Sequence, residues 1–212
     1  MSADLRAGVA AACDAIEAAR DDLCRLDAVA GDGDHGVTMT LGARAVRRAL
    51  EAHPEADGAA LLAFLAPAAG SVGGAIGPLW ATLLLRVAGT LRAAGSDPVA
   101  LTAPLLRACG EAALAGVVAL GKATEGDKTI VDALAPAVRA LADAETHGDD
   151  LATAAQAAAE AARAGAAGTA GMVATLGRAA RLGERSRGTA DPGATSFALI
   201  AEVLASAAAG AA

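Results

Sequence analysis

Leu5, Val9, Ile16 and Leu23 recur at intervals built from three- and four-residue steps, with Arg6, Asp14, Glu17 and Arg20 between them. That spacing predicts an amphipathic helix over residues 3–26. The pattern stops at Gly31-Asp32-Gly33-Asp34-His35-Gly36, because glycine and aspartate favour bends over helical turns. Helical character resumes over 37–52, pauses near Pro54 and continues over 57–69 to a second break, Gly70-Ser71-Val72-Gly73-Gly74-Ala75-Ile76-Gly77-Pro78. Further helices are predicted at 79–94, 98–120, 128–145, 149–167, 171–182 and 194–209. Asp97-Pro98 and Asp191-Pro192-Gly193 read as helix starts, since aspartate can cap free N–H groups and proline is tolerated in the first turn. Leu151 to Ala167 is nearly all alanine, yet Gln156, Glu160 and Arg163 keep a polar stripe, which favours helix over linker.

No linker or internal repeat divides the chain, so the expected architecture is one all-α domain over residues 1–212, an up-and-down bundle of about eight helices. Composition supports this. About three residues in ten are alanine and 1% are aromatic. Alanine is the strongest helix former and the strand-favouring types are scarce, which excludes a β-sandwich or β-barrel. With 17 basic against 24 acidic side chains the net charge is −7, and no basic run or aromatic platform offers a nucleic-acid surface. Met1-Ser2-Ala3-Asp4 does not open a signal peptide, and the longest apolar stretch, Ala59 to Ala69, is short of a membrane span. A soluble cytoplasmic protein with no membrane partner is expected. Cys13, Cys24 and Cys109 match no zinc or redox spacing and read as reduced, mostly buried thiols.

The chemistry lies in the breaks. Four of them, around 27–38, 70–78, 121–129 and 183–193, are rich in Gly, Asp, Ser and Thr. In an up-and-down bundle alternate connections lie at one end, so such loops can converge on one polar mouth. Asp27, Asp32 and Asp34 fall within eight residues, with glycine on both sides of Asp32. Two carboxylates about 5 Å apart repel by roughly 3 kcal/mol at an effective dielectric near 20. The cluster is therefore either a Mg²⁺ site or a solvated Asp-Gly turn whose side chains point apart. Gly31-x-Gly33-x-x-Gly36 fits the dinucleotide fingerprint by spacing, but helix precedes it and its two aspartates would repel a pyrophosphate. An EF-hand fails as well, because its last position would be Ala43. His35 suits either a phosphate or ribose contact or a structural hydrogen bond.

The second break suits either anion binding by free N–H groups or close helix packing through small residues. Gly116-x-x-x-x-Gly121-Lys122 approaches a P-loop, but Ala123 stands where Ser or Thr should hold Mg²⁺ and the preceding segment is helical. Lys122 and Lys128 are the only lysines, every other basic side chain being arginine. A compact ammonium there suits a phosphate or a pairing with Asp127, with chance clustering the bland alternative. Arg178, Glu184, Arg185 and Arg187 ahead of Asp191-Pro192-Gly193-Ala194-Thr195-Ser196 suit either nucleotide phosphates or a surface salt-bridge lattice.

Five of these segments, in chain order, resemble one family. They are Leu26-Asp27 with Gly31-Asp32-Gly33-Asp34-His35-Gly36, Val72-Gly73-Gly74-Ala75 with Gly77-Pro78-Leu79, and Gly126-Asp127-Lys128-Thr129 with Asp132-Ala133-Leu134. Gly177-Arg178-Ala179 with Leu182-Gly183-Glu184-Arg185-Ser186, and Asp191-Pro192-Gly193-Ala194-Thr195-Ser196, complete the set. Over nearly its whole length the chain resembles the nucleotide-binding L subunit (DhaL) of dihydroxyacetone kinase. The resemblance implies an antiparallel eight-helix barrel with ADP or ATP at one mouth. It implies that Asp27, Asp32 and Asp34 hold two Mg²⁺ ions, and that His35, Gly36, Val37, Thr38, Ala75, Ile76, Gly121, Ile130, Arg178, Asp191, Pro192 and Gly193 line the nucleotide. It implies a K-type subunit that holds dihydroxyacetone or a related small ketose, and a phosphotransferase-system M-type protein that rephosphorylates bound ADP. Such a chain is a phosphotransferase subunit that is silent alone, in which positioning and charge neutralisation stand in for a nucleophile. Departures from the family pattern are Ile76 in place of a phosphate-contacting Ser, Ile130 in place of Met, Arg181 in place of an aromatic, and Thr124-Glu125 in place of a Pro-containing loop. A non-catalytic Mg-ADP-binding adaptor and a helical scaffold are the competing readings.

Overall fold

A computed structural model describes residues 2–56, 58–95 and 100–210. Among them are nine α-helices and no strand: α1 (Ser2–Ala18), α2 (Arg20–Ala30), α3 (His35–Ala52), α4 (Gly58–Gly70), α5 (Ile76–Ala93), α6 (Ala103–Gly121), α7 (Val131–His147), α8 (Leu151–Gly168) and α9 (Pro192–Gly210). Two 3₁₀ segments, Thr169–Gly171 and Ala179–Ser186, lie between α8 and α9. α1 packs on α3, each later helix packs on the next, and α9 returns to α1, so eight helices close a ring. α2 is the ninth, set against α3, α9 and the 179–186 segment.

Three predicted elements differ from what formed. The helix expected over 3–26 bends at Ala19 (φ −82°, ψ 0°) and runs on as α2 to Ala30, which places Asp27 on a helix rather than in a loop. The bend keeps the bonds from Ala19 N to Ala15 O (2.9 Å) and from Leu23 N to Ala19 O (3.0 Å), so the chain changes direction without leaving helix. The helix expected over 171–182 is absent as such. Gly177 and Gly183 adopt φ of +69° and +54°, and this interrupts the segment into irregular chain and a kinked 3₁₀ run. α6 starts at Ala103, where Thr102 Oγ1 accepts from Leu105 N at 3.3 Å and Pro104 occupies the first turn. The Asp97-Pro98 start lies outside the described residues, whereas Asp191-Pro192 does open α9.

The core has two textures. Leu61, Leu62 and Leu65 of α4 with Leu50 and Leu91 form a leucine-rich cluster among α3, α4, α5 and α6. Each such side chain contributes roughly 1.5–3 kcal/mol on burial. On the opposite arc Ala133, Ala137, Ala154, Ala158, Ala162 and Ala198 pack α7, α8 and α9 together. Their small side chains give less burial per residue and much closer backbones. At Gly165 of α8 a Cβ would collide with the Asp132 carbonyl oxygen. That closeness presses the start of α7 against the end of α8, where the loops of interest meet. α6 and α9, 19 residues each, are long and apolar enough to cross a membrane by length and composition, although the uninterrupted apolar runs are short. Both pack between neighbours in the ring.

Candidate functional site

Asp27 on the last turn of α2 organises the acidic loop. Its Oδ2 accepts from the backbone N–H of Asp34 (3.0 Å) and of His35 (3.2 Å), which ties α2 to the first turn of α3. Two glycines make this approach possible. A Cβ on Gly31 would collide with Asp27 Oδ1, and one on Gly36 would overlap the Arg20 carbonyl and stand 2.8 Å from Cys24 Sγ. One oxygen from each of Asp27, Asp32 and Asp34 then lies within 4.8 Å of the others. Asp32 and Asp34 are exposed, and the Arg178 guanidinium pairs with Asp32 and lies 3.6 Å from Asp34. Three hard oxygen donors that already draw in a cation fit Mg²⁺, which takes a few carboxylates and completes its octahedron elsewhere. The three side chains converge on one point rather than pointing apart.

His35 joins α3 to α9. Its Nε2 lies 3.2 Å from Ser196 Oγ, which also donates to the Gly193 carbonyl at 3.0 Å. Burial pushes the imidazole below its usual range, against the opposing pull of Asp27 and a hydrogen bond to the Pro192 carbonyl, so the ring is neutral at pH 7. The ring is committed to the protein, which favours the structural alternative for this side chain.

A second set of contacts gathers the later loops. Asp191 caps α9, with Oδ2 accepting from Ala194 N at 2.7 Å, and its own N–H donates to Thr169 Oγ1 at 2.7 Å. Burial raises its carboxyl to about 6, partly opposed by the Ala194 N–H and by Lys128. Lys128 donates to the carbonyls of Thr169 (2.9 Å), Met172 (3.3 Å) and Thr189 (2.6 Å). It is therefore not paired with Asp127, whose carboxylate accepts from Thr124 N (2.7 Å), Thr124 Oγ1 (2.9 Å) and the Thr175 hydroxyl. Those bonds hold Asp127 below the usual carboxylate range. Asp132 is buried and accepts from Gly126 N (2.5 Å) and Thr129 N (2.7 Å), which fixes the loop that leads into Ile130.

Residues 29–206 match the DAK2 domain family. The chain belongs to that family. It is 36% identical to the Escherichia coli protein named PEP-dependent dihydroxyacetone kinase, ADP-binding subunit DhaL, over 88% of this chain and 87% of that one. It is 38% identical to a D-erythrulose kinase of Mycolicibacterium smegmatis over 92% of this chain. The crystal structure of the dihydroxyacetone kinase of C. freundii superposes with a TM-score of 0.75 and 28% identity over 97% of this chain. The same kinase in complex with AMP-PNP and Mg²⁺ gives 0.73 and 27%. The chain spans about a third of the erythrulose kinase (33%) and of the C. freundii kinase (34%).

In this DAK2 domain several of the residues singled out in the sequence meet one another. Asp27, Asp32, Asp34 and Arg178 meet directly. His35 reaches Pro192 and Ser196, and Gly193 lies beside Ile130. Ile130 is buried in a cluster that Leu79 joins, and Leu79 Cδ2 would lie 3.8 Å from a Cβ on Gly121. Gly36 is buried and Thr38 half-buried, while Val37 and Ala75 are exposed. Ile76, half-buried, joins Trp80, Leu199 and Ile200 at the edge of the cluster that holds Cys13, Ile16, Leu23 and Met39. The second break divides its two alternatives among its glycines. Gly77 sits hard against the Val72 carbonyl, whereas Gly73 and Gly74 face open space. Thr169, fully buried with its hydroxyl on Asp191 N–H, escaped notice because nothing local distinguishes it from any threonine after an alanine run. Ser186 and Asp132 were visible only as members of longer motifs. In the fold Ser186 Oγ donates to Gly183 O (2.7 Å) and accepts from Ala174 N (2.9 Å).

Proposed function

We propose that residues 1–212 form one nucleotide-binding domain that binds ADP or ATP with two Mg²⁺ ions and serves as the L subunit of a dihydroxyacetone-type kinase in the cytoplasm. The observation that carries this reading is the convergence of the Asp27, Asp32 and Asp34 oxygens within 4.8 Å, with Arg178 reaching the same point. Family membership and the ADP-binding names of relatives of similar length support it. Bound Mg²⁺ would neutralise polyphosphate charge at that loop. Asp27 holds the loop rigid through its two backbone bonds, so the carboxylates need no rearrangement when a cation arrives. His35 to Thr38 open α3; with the His35 N–H held by Asp27 and the Thr38 N–H by the Asp34 carbonyl, the Gly36 and Val37 N–H groups are left to present the positive helix end to an anion. Ala75, Ile76, Gly121, Ile130 and Asp191 to Gly193 wall the nucleotide, with Arg178 beside the phosphates. The phosphoryl acceptor, dihydroxyacetone or a related small ketose, is held on a separate K-type subunit, and an M-type phosphotransferase-system protein rephosphorylates bound ADP.

One observation favours a second reading. Ile76 presents an apolar side chain at the edge of a hydrophobic cluster where the family pattern has a phosphate-contacting serine, which suits a Mg-ADP-binding adaptor without turnover. Reconstitution with a K-type subunit and either ATP or a phosphotransferase donor separates the two. Phosphorylated ketose supports the kinase subunit, and Mg-dependent nucleotide binding without product supports the adaptor. Absence of both overturns the nucleotide site itself.

A further inference from the structure

Lys128, one of two lysines in a chain whose other basic side chains are arginine, is a charged side chain with no carboxylate in hydrogen-bond contact and is only 5% exposed. Its backbone takes the left-handed conformation (φ +61°) that a lysine rarely adopts, and Gly126 two residues earlier does the same (φ +96°). This backbone turns the side chain inward. There its three N–H donors meet three carbonyls from two places: Thr169 and Met172 at the two ends of the 3₁₀ turn after α8, and Thr189 before α9. An ammonium directs three donors outward as a tripod, whereas a guanidinium spreads its donors in one plane. Only lysine among the basic side chains satisfies three converging carbonyls from one point. Asp191 adds an attractive charge nearby and Arg187 a repulsive one, while Asp132 faces Asp191 from the start of α7.

The three segments tied here carry Ile130, Arg178 and Asp191 to Gly193 of the nucleotide lining. The loop of Lys128 leads into Ile130, the run after Met172 ends at Arg178, and Thr189 precedes Asp191 to Gly193. Asp127 reinforces the same tie, since its backbone carbonyl accepts from Thr175 N at 3.3 Å. The geometry points to Lys128 as a positioning residue of the nucleotide site, one that sets where Arg178 and the Asp191 turn stand relative to Ile130. This rests on the nucleotide reading above. The backbone framework of the acidic loop, by contrast, runs through Asp27, Asp34 and His35, and Lys128 reaches it only through Arg178, which sits exposed on Asp32 and Asp34.

The test measures two affinities and one stability on the full chain. Mn²⁺ binding without nucleotide is followed by electron paramagnetic resonance, Mg-ADP binding by calorimetry, and unfolding by urea without ligand. Lys128→Met and Lys128→Arg are expected to weaken Mg-ADP binding at least tenfold while Mn²⁺ affinity stays within twofold of the parent. Leu65→Val in the leucine-rich core is the comparison for stability alone, and it is expected to lower the urea midpoint with Mg-ADP affinity unchanged. Lys128→Gln, which keeps two donors, carries the measurement if the other variants do not fold, with an intermediate loss of affinity expected. Mg-ADP affinity within twofold of the parent, equal losses of Mn²⁺ and Mg-ADP binding, recovery of full affinity by Lys128→Arg, or failure of all three variants to fold would each overturn the inference. If the parent chain binds Mn²⁺ but no nucleotide, the nucleotide reading fails first, which is a separate outcome.

Discussion

Gly36→Ala isolates the contact that brings the acidic residues together. Gly36, the second residue of α3, lies against the first turn of α2, where a Cβ would overlap the Arg20 carbonyl oxygen and press on Cys24 Sγ at 2.8 Å. A backbone carbonyl cannot swing aside as a side-chain tip can, so α3 must move from α2 by about 1 Å. The bonds from Asp34 N and His35 N to Asp27 Oδ2, now 3.0 and 3.2 Å, then lengthen beyond hydrogen-bond range. Overpacking costs about 1–3 kcal/mol. The two charge-assisted bonds contribute about 1.5 kcal/mol each at the lower, partly solvated end of their range. Replacing a helical glycine by alanine returns about 1 kcal/mol. The expected net loss is about 3–5 kcal/mol in urea unfolding without divalent ions, with at least a tenfold loss of Mn²⁺ affinity. Gly89→Ala, exposed on α5 with nothing within 4 Å of its Cβ position, should instead gain about 0.5–1 kcal/mol and leave Mn²⁺ binding untouched. Equal stability of the two variants, or parental Mn²⁺ affinity in Gly36→Ala, would refute the reasoning.

Asp191 makes stability depend on pH with an unusual sign. Its carboxyl is raised from 3.8 to about 6, so its contribution is full below the unfolded value and is lost as pH rises through the folded one, about 3 kcal/mol in all. Asp191→Asn should remove that decline between pH 4 and 6.5, and a variant that unfolds with the parental pH slope would show the shift belongs elsewhere. Asp132→Ala leaves the N–H groups of Gly126 and Thr129 without their acceptor and should cost about 2–5 kcal/mol, with Asp132→Asn milder; a loss under 1 kcal/mol would mean that the loop finds other partners. Ile76→Ser should tighten Mg-ADP binding, followed through the single tryptophan, Trp80, which packs in the same cluster. Weaker binding in that variant would count against a phosphate at this position.

Much of the molecule was legible along the chain because it is decided within a few residues. Alanine content and three-to-four spacing dictate helices, Gly31 to Asp34 forbid one, and Asp191-Pro192 starts one by supplying its own cap. Where local signals conflict, sequence reading faltered. The glycines at 177 and 183 overrode an apolar pattern over 171–182, and the bend at Ala19 has no breaker residue to announce it. The acidic triad, the glycine-rich break and the two lysines were visible as oddities of composition, each with a bland alternative of comparable weight.

Which groups these side chains meet was decided only by the tertiary structure, because the partners lie far apart in sequence. His35 meets Ser196 across 161 residues, and Lys128 meets Thr169 across 41 and Thr189 across 61. Arg178 comes back to Asp32 from the other end of the chain. A hydrogen bond between distant turns leaves no period in the sequence, since it depends on how closely the intervening helices pack. Here that distance is set by alanines and by Gly36 and Gly165, whose missing side chains let backbones touch and loops converge.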